Sequence, residues 1–190
     1  MNIELKNELL KLFYEANEKF LKENLENFEM GVSERNLCSC LAMKISELLP
    51  DYSLFGYYSD VEYNRNGLEV KTFINNVGKV IDITCDLIVH SRGKKEKDNL
   101  IAVEMKKLPC TNKALNSDRE RLMCLTKENE GDVFRFGDID FPVHVCEFEI
   151  GIYYIINERK RTISIELYSL GKLINIEEEK YDYWMNYSKY

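Results

Sequence analysis

Two short runs decide the reading of this chain: 86–90, DLIVH, and 100–106, LIAVEMK. Both are apolar stretches of strand length, and each carries acid where a buried strand gains nothing from it. Side chains alternate across a strand, so Glu104 and Lys106 share one face while Val103 and Met105 share the other. If the two runs pair as neighbours, Asp86, Glu104 and Lys106 converge on one spot. Two carboxylates there suit a hard divalent cation such as Mg²⁺, and an adjacent ammonium can hold or deprotonate a water. The same Glu-x-Lys spacing also occurs at plain solvated strand ends, so the surrounding chain has to decide.

Working outward, the polar loop 91–98, SRGKKEKD, predicts an antiparallel hairpin of Val80–His90 with Asn99–Lys107, closed by Pro109. Asp82 has the same strand parity as Asp86 and competes with it for the acidic role. Upstream, Asp60–Arg65 (DVEYNR) predicts a strand ended by the Asn66-Gly67 turn signal. Two helices precede it. The first spans about 2–28, with Leu5, Leu9, Leu12, Phe13, Ala16 and Phe20 on one face. The second starts at the N-cap Ser33 and stops before Pro50, with Leu37, Leu41, Ile45 and Leu48 as its stripe. Counting back three from Leu37 lands on Glu34. An acid in a first helical turn also suits the helix dipole, but the end of the inward stripe places Glu34 within reach of a sheet below.

Downstream, 113–129 predicts a third helix with Asp118, Leu122 and Leu125 on one stripe and Arg121 beside it. Residues 131–147 read as irregular and aromatic. Phe148–Ile156 and Thr162–Tyr168 read as strands, and the tail from about 176, with Tyr181, Tyr183, Trp184 and Tyr187, is compatible with a short helix. The order is ααβββαββ, an α/β fold in the mixed α+β sense with helices flanking a sheet.

Length and composition allow one domain and a real core, at 190 residues and 45% hydrophobic content. The expected division is a helical extension over 1–32, a core over 33–168 and a tail over 169–190 packed on that core. No apolar run approaches a membrane span and no signal peptide is legible, so the expected location is cytoplasmic. The six cysteines form no zinc pattern and read as reduced thiols. A formal net charge of −7 argues against nucleic-acid binding through overall charge. Base is nevertheless concentrated at Arg92, Lys94, Lys95 and Lys97, then at Lys106, Lys107 and Lys113, then at Arg119 and Arg121. Those residues flank the candidate site, although Lys94–Lys97 also suit a plain solvated loop. No Gly-rich phosphate loop, GxSxG or HExxH occurs.

The stretches SERNLCSCLAMKISELLPDY, DVEYNRNG, CDLIVHSRG, DNLIAVEMKK, DRERLMCLT and GIYYIIN, in that order over about 33–157, resemble the PD-(D/E)XK nuclease superfamily. Within it, the EYNR and DLIVH-x-RG…ExKK elements resemble a little-characterised bacterial and phage group. The resemblance implies a restriction-endonuclease-like three-layer core, with a central mixed β-sheet flanked by helices. It implies a metal-dependent nuclease hydrolysing phosphodiester bonds in nucleic acid, with DNA as the leading substrate and Mg²⁺ (or Mn²⁺) as cofactor. Asp86 and Glu104 would be the metal ligands, with the Met105 carbonyl a further one. Lys106 would orient or activate water, and Glu34 would be the helix-borne acid. Glu62, Arg92, Lys107, Asp118 and Arg121 would be supporting or substrate-binding residues. The chain departs from the pattern in two places: Cys85 replaces the motif proline, and Arg121 stands where the group tends to carry lysine. Some members of the superfamily are binding subunits without activity, so a catalytically weak chain serving a protein or nucleic-acid partner is the alternative. A homodimer also stays open.

Overall fold

Ile150–Asn157 is buried along nearly its whole length, and a strand buried on both faces needs a covering layer on each side. The layers are supplied as that argument requires. The computed structural model describes residues 3–63, 65–66, 69–70, 72–74, 80–82, 85–128, 133–136, 139–142 and 146–181. Its helices are α1 (Ile3–Glu29), α2 (Glu34–Leu48) and α3 (Asn112–Leu125). Its first strands are β1 (Tyr58–Val61), β2 (Arg65–Asn66), β3 (Glu69–Val70), β4 (Thr72–Ile74), β5 (Val80–Asp82), β6 (Leu87–His90) and β7 (Asn99–Leu108). After α3 come β8 (Val133–Phe136), β9 (Ile139–Pro142), β10 (Ile150–Asn157), β11 (Thr162–Ser169) and β12 (Lys172–Lys180).

Six strands form one mixed sheet in the order β1-β6-β7-β10-β11-β12. Only β7 and β10 run parallel; the other neighbours are antiparallel. A parallel pair needs a crossover, and α3 lies in it. Residue parity sorts the two cores. Val103, Met105, Ile152, Tyr154 and Ile165 pack with Leu12, Phe13, Phe20, Leu37 and Leu41 from α1 and α2. Ala102, Ile88 and Tyr153 pack with Leu122 and Leu125 of α3. The stripe read for α1 is the buried one, so this helix is part of the main core and not an appendage to it.

Four expectations change. Val80–His90 is not one strand: β5 pairs with β4 in a separate hairpin, and only β6 joins the main sheet. The break falls at Asp86, whose carboxylate accepts the Met105 N–H at 2.8 Å in place of a neighbouring-strand carbonyl. That hydrogen bond ends the ladder at Leu87, and the backbone of Asp82 pairs with Thr72 in the other hairpin. The DVEYNR strand begins earlier and ends at Val61, because Glu62 is left-handed (φ 50°) and turns the chain out of the sheet. The stretch 131–147 contains the β8–β9 hairpin. The acidic run Glu177–Glu179 belongs to an edge strand, not to a helical tail. Leu170 and Gly171, both left-handed, form the tight turn that folds β12 back on β11, and exposed charges are what an edge strand tolerates. Tyr183, Trp184 and Tyr187 lie outside the described residues.

Candidate active site

The strand register assembles the site before any side chain is considered. Leu87 pairs with Val103, so the next antiparallel rung sets Asp86 level with Glu104. Glu104 pairs with Tyr153, and Tyr153 pairs with Glu166. Asp86, Glu104, Tyr153 and Glu166 therefore form one row across the sheet, on the face covered by α3. The hairpin expected between the DLIVH and LIAVEMK runs is present, and their two acids share a face.

Glu104 is 1% exposed, and its two oxygens fare differently. Oε2 meets Arg121 Nη1 at 2.7 Å, while Oε1 is buried without a hydrogen-bond partner. An orphaned buried carboxylate oxygen is costly. Burial first, and then the charge of Asp86, push the Glu104 carboxyl up to about 8 against the pull of Arg121. Asp86 is also raised, by burial, with the Met105 N–H and Lys106 opposing the shift. In an extended strand the N–H and C=O of one residue point the same way. The Met105 carbonyl thus faces the edge from which its N–H reaches Asp86.

Lys106 stands at the end of β7 between the two helical layers. Its Nζ lies 3.3 Å from Glu34 Oε2 and 3.4 Å from Asp118 Oδ2. Burial lowers the lysine, but Asp118 and Glu34 outweigh it and hold the ammonium above its ordinary value. Lys106 is a fixed positive charge here and not a ready base. Glu34 reaches the sheet as its place on the helix stripe predicts: Oε1 accepts the Lys107 N–H at 2.7 Å. Asp118, 6% exposed, also receives Arg121 Nη1 at 3.4 Å and the Tyr153 hydroxyl at 3.0 Å. The buried Cys38 thiol of α2 is pushed up by burial first and then by the charges of Asp86, Glu104, Glu62 and Glu34. Among the described residues, Glu34, Asp86, Glu104 and Asp118 face Lys106 and Arg121 as cations, so the cluster is short of positive charge.

Other expected residues stand apart. Glu62 donates its backbone N–H to the Asp86 carbonyl at 3.1 Å, but its carboxylate is turned to Arg35 at 2.6 Å. The Lys107 side chain points to the opposite face, with Nζ 2.6 Å from Glu158 and 2.7 Å from the Val32 carbonyl. Arg92 lies beyond the far end of β6, paired with Asp60 and stacked at 4.1 Å on the Tyr58 ring. His90 is buried at that same end, 3.0 Å from Asp60, and does not border the site. Tyr153 and Cys38 were not legible as site residues. Register fixes Tyr153, through a parallel pairing across some forty residues that no local pattern announces.

Among the described residues, no group of three His, Cys, Asp or Glu side chains is gathered as a metal-binding set. The available donors are the two carboxylates of Asp86 and Glu104 and the Met105 carbonyl. Comparison with family models, with curated proteins and with solved structures finds no match for this chain in any of the three.

Proposed function

We propose that this chain is a divalent-metal-dependent nuclease with a restriction-endonuclease-like core of the PD-(D/E)XK kind. Its substrate is a phosphodiester bond in nucleic acid, with DNA as the leading case. One observation carries the reading: Glu104, buried and level with Asp86, keeps an oxygen with no partner in a cluster of four acids and two cations. The donor set fits Mg²⁺ or Mn²⁺, because Mg²⁺ commonly takes one or two carboxylates and fills its other positions with waters and substrate phosphate. A third side-chain ligand is not needed for that mode.

When bound, such an ion supplies Lewis acidity at the phosphoryl oxygen and lowers the pKa of a bound water. Asp86, fixed by the Met105 N–H, and Glu104, fixed by Arg121, would hold it. Lys106, anchored between Glu34 and Asp118, presents an ammonium to the extra negative charge that develops as water attacks phosphorus and the ester P–O bond breaks. Glu34 orients that ammonium and is placed to hold a water at the rim. Arg121 limits the repulsion between Glu104 and Asp118.

The test is cleavage of plasmid, single-stranded DNA and RNA with Mg²⁺, Mn²⁺ or EDTA. Metal-dependent cleavage that disappears in Asp86→Ala and Lys106→Ala is expected. Cleavage surviving in both variants points to a contaminant and removes the proposal. One feature favours the second reading, a nuclease-fold subunit without activity: Arg121 already occupies one Glu104 oxygen, and Lys106 is turned to Glu34 and Asp118. Calorimetry with Mg²⁺ and Mn²⁺ separates the two readings. Absence of heat at millimolar metal, together with stable association with a protein partner, would favour the subunit.

A further inference from the structure

A trough runs along the outer edge of the sheet, away from the candidate active site. Its first section, about 510 Å³, lies between α2 and β1 and is lined by Ala42, Met43, Ser46 and Val61 together with two carboxylates, Glu47 paired with Lys44 and Asp60 paired with Arg92. The second, about 330 Å³, shares Ser46 and Ser59 with it and continues past Phe55, Tyr58 and Arg92. The near end is at Val61, next to Glu62 and the Asp86 backbone. The far end lies about 13 Å away along β6, at four residues of strand rise, or about 15 Å away along α2 from Ser39 to Leu49.

That far end is a built platform of rings and cations. Phe55 stands 66% exposed at its rim. The guanidinium of Arg92 lies 4.1 Å from the Tyr58 ring centre, Lys94 Nζ 5.1 Å from the same ring, and Lys95 Nζ 5.0 Å from the Tyr57 ring. The loop that bears them is held tightly. Asp98 Oδ1 accepts from the Ser91 hydroxyl and from the backbone N–H groups of Ser91 and Gly93, and the Ser91 hydroxyl oxygen accepts from Lys94 N and Lys95 N. The Tyr57 hydroxyl ties the two loops together by donating to the Lys97 carbonyl at 2.7 Å. Lys95 crosses directly over Gly56, where a Cβ would come within 3.2 Å of its Cε, and Gly56 has the positive φ (+79°) that glycine adopts freely.

The charges sort into spent and available. Arg92 is neutralised by Asp60, and Lys97 by Glu149. Lys94 and Lys95, both exposed, have no carboxylate within ion-pair distance among the described residues and rest only on tyrosine. An exposed phenyl ring beside two unneutralised ammonium groups matches a stacked base and its flanking phosphates.

We infer that the trough seats a single-stranded nucleic acid, with one base stacked on Phe55 and its phosphates held by Lys94 and Lys95. The inference rests on the nuclease reading: the near end of the trough stops at Val61, and the next residue, Glu62, donates its backbone N–H to the Asp86 carbonyl. About 13 Å spans only a few nucleotides, at about 3.4 Å or more per nucleotide of a stacked strand. The platform would therefore anchor the strand a few nucleotides from the bond to be cut. A base that stacks on Phe55 must be unpaired, which selects single-stranded or frayed substrate.

Fluorescence anisotropy of the full chain with a labelled single-stranded DNA, the matching RNA and their duplexes tests this. EDTA keeps cleavage out of the measurement. Phe55→Ala is expected to weaken single-strand binding by roughly 5- to 150-fold. The double variant Lys94→Ala, Lys95→Ala is expected to reduce the log–log salt slope by about 1.4. Both changes lie in exposed loop residues, so circular dichroism should match the wild type. Wild-type affinity in both variants overturns the inference. A chain that ignores single strands but forms a dimer lost in Phe55→Ala overturns it too, and gives the trough to a second copy. Binding of single strands through Phe55 without cleavage leaves the platform standing and removes the nuclease reading. Cleavage that is lost in Asp86→Ala, combined with binding indifferent to Phe55, does the reverse.

Discussion

Helix α3 carries two arginines two residues apart, and each meets a buried glutamate on a different strand. Arg119 closes on Glu166 of β11 with Nε and Nη2 at 2.9 and 2.6 Å, and the Tyr168 hydroxyl donates to the same carboxylate. Arg121 reaches Glu104 of β7 with one nitrogen and leaves Oε1 orphaned. The two acids sit in one row with Tyr153 between them, roughly 10 Å apart at two strand spacings. Burial raises both. At Glu166 the Arg119 and Tyr168 hydrogen bonds outweigh it and hold the carboxyl below its ordinary value. At Glu104 burial and Asp86 win, and the carboxyl stands at about 8. Depth alone therefore does not distinguish them. Glu166 is satisfied and structural, whereas Glu104 is left short of partners beside a second acid, which is how a cation-binding carboxylate differs from a packing one.

Exchanging the charge at the two positions gives the largest expected contrast. On the proposed function, Glu104→Gln should reduce metal-dependent cleavage on the order of a thousandfold or more, since it would remove a ligand and the charge that draws the ion. Mg²⁺ binding by calorimetry should fall with it. Equal cleavage by wild type and Glu104→Gln would dissolve the functional half of the comparison.

Half of that comparison was visible in the sequence. The alternation in LIAVEMK fixes which side chains share a face, and the loop SRGKKEKD announces the hairpin that brings Asp86 beside Glu104. Glu34 followed from helix spacing alone, and Ser33 caps that helix as read. Glu166 was invisible as a member of the same row. Its position depends on β7 and β10 pairing in parallel, and a parallel register is set by tertiary packing with no turn to count from. Arg92 lies away from the site carboxylates for a related reason. Sequence proximity to DLIVH placed it near the site, but it follows the end of β6 opposite Asp86, and Asp60 waits there for it. Lys172–Lys180 reads as part of a tail, because an edge strand facing water shows no apolar alternation to identify it.

The second contrast is in pH. Glu104 is held above its ordinary 4.5, so the folded chain binds that proton more tightly than the unfolded one. Its contribution to stability is present below about 4.5 and is lost as pH rises toward 8. The slope is on the order of 3–5 kcal/mol across that window, measured by urea unfolding in EDTA. Glu104→Gln should flatten the slope. Mg²⁺ should oppose it most strongly at the alkaline end, where the ion no longer competes with a proton. A metal-free chain equally stable at pH 5 and pH 8 would mean that Glu104 is ordinary.

Glu166 should behave in the opposite sense and more weakly. Its folded carboxyl lies below the ordinary value, so its contribution is present above about 4.5 and is lost as pH falls. Glu166→Gln keeps the side-chain volume and one acceptor oxygen but leaves Arg119 without its counter-charge. Breaking a fully buried pair costs about 3–5 kcal/mol. The Arg119 side chain is 35% exposed, so water recovers part of that loss. About 1–2 kcal/mol remains, which lowers the melting temperature by roughly 2–8 °C in a domain of this size. Cleavage should stay within about twofold of wild type, because neither Arg121 nor Asp118 contacts Glu166. Should Glu166→Gln instead abolish cleavage while melting normally, the row would act as one unit through Tyr153, and the line between packing acid and working acid would have to be drawn beyond β11.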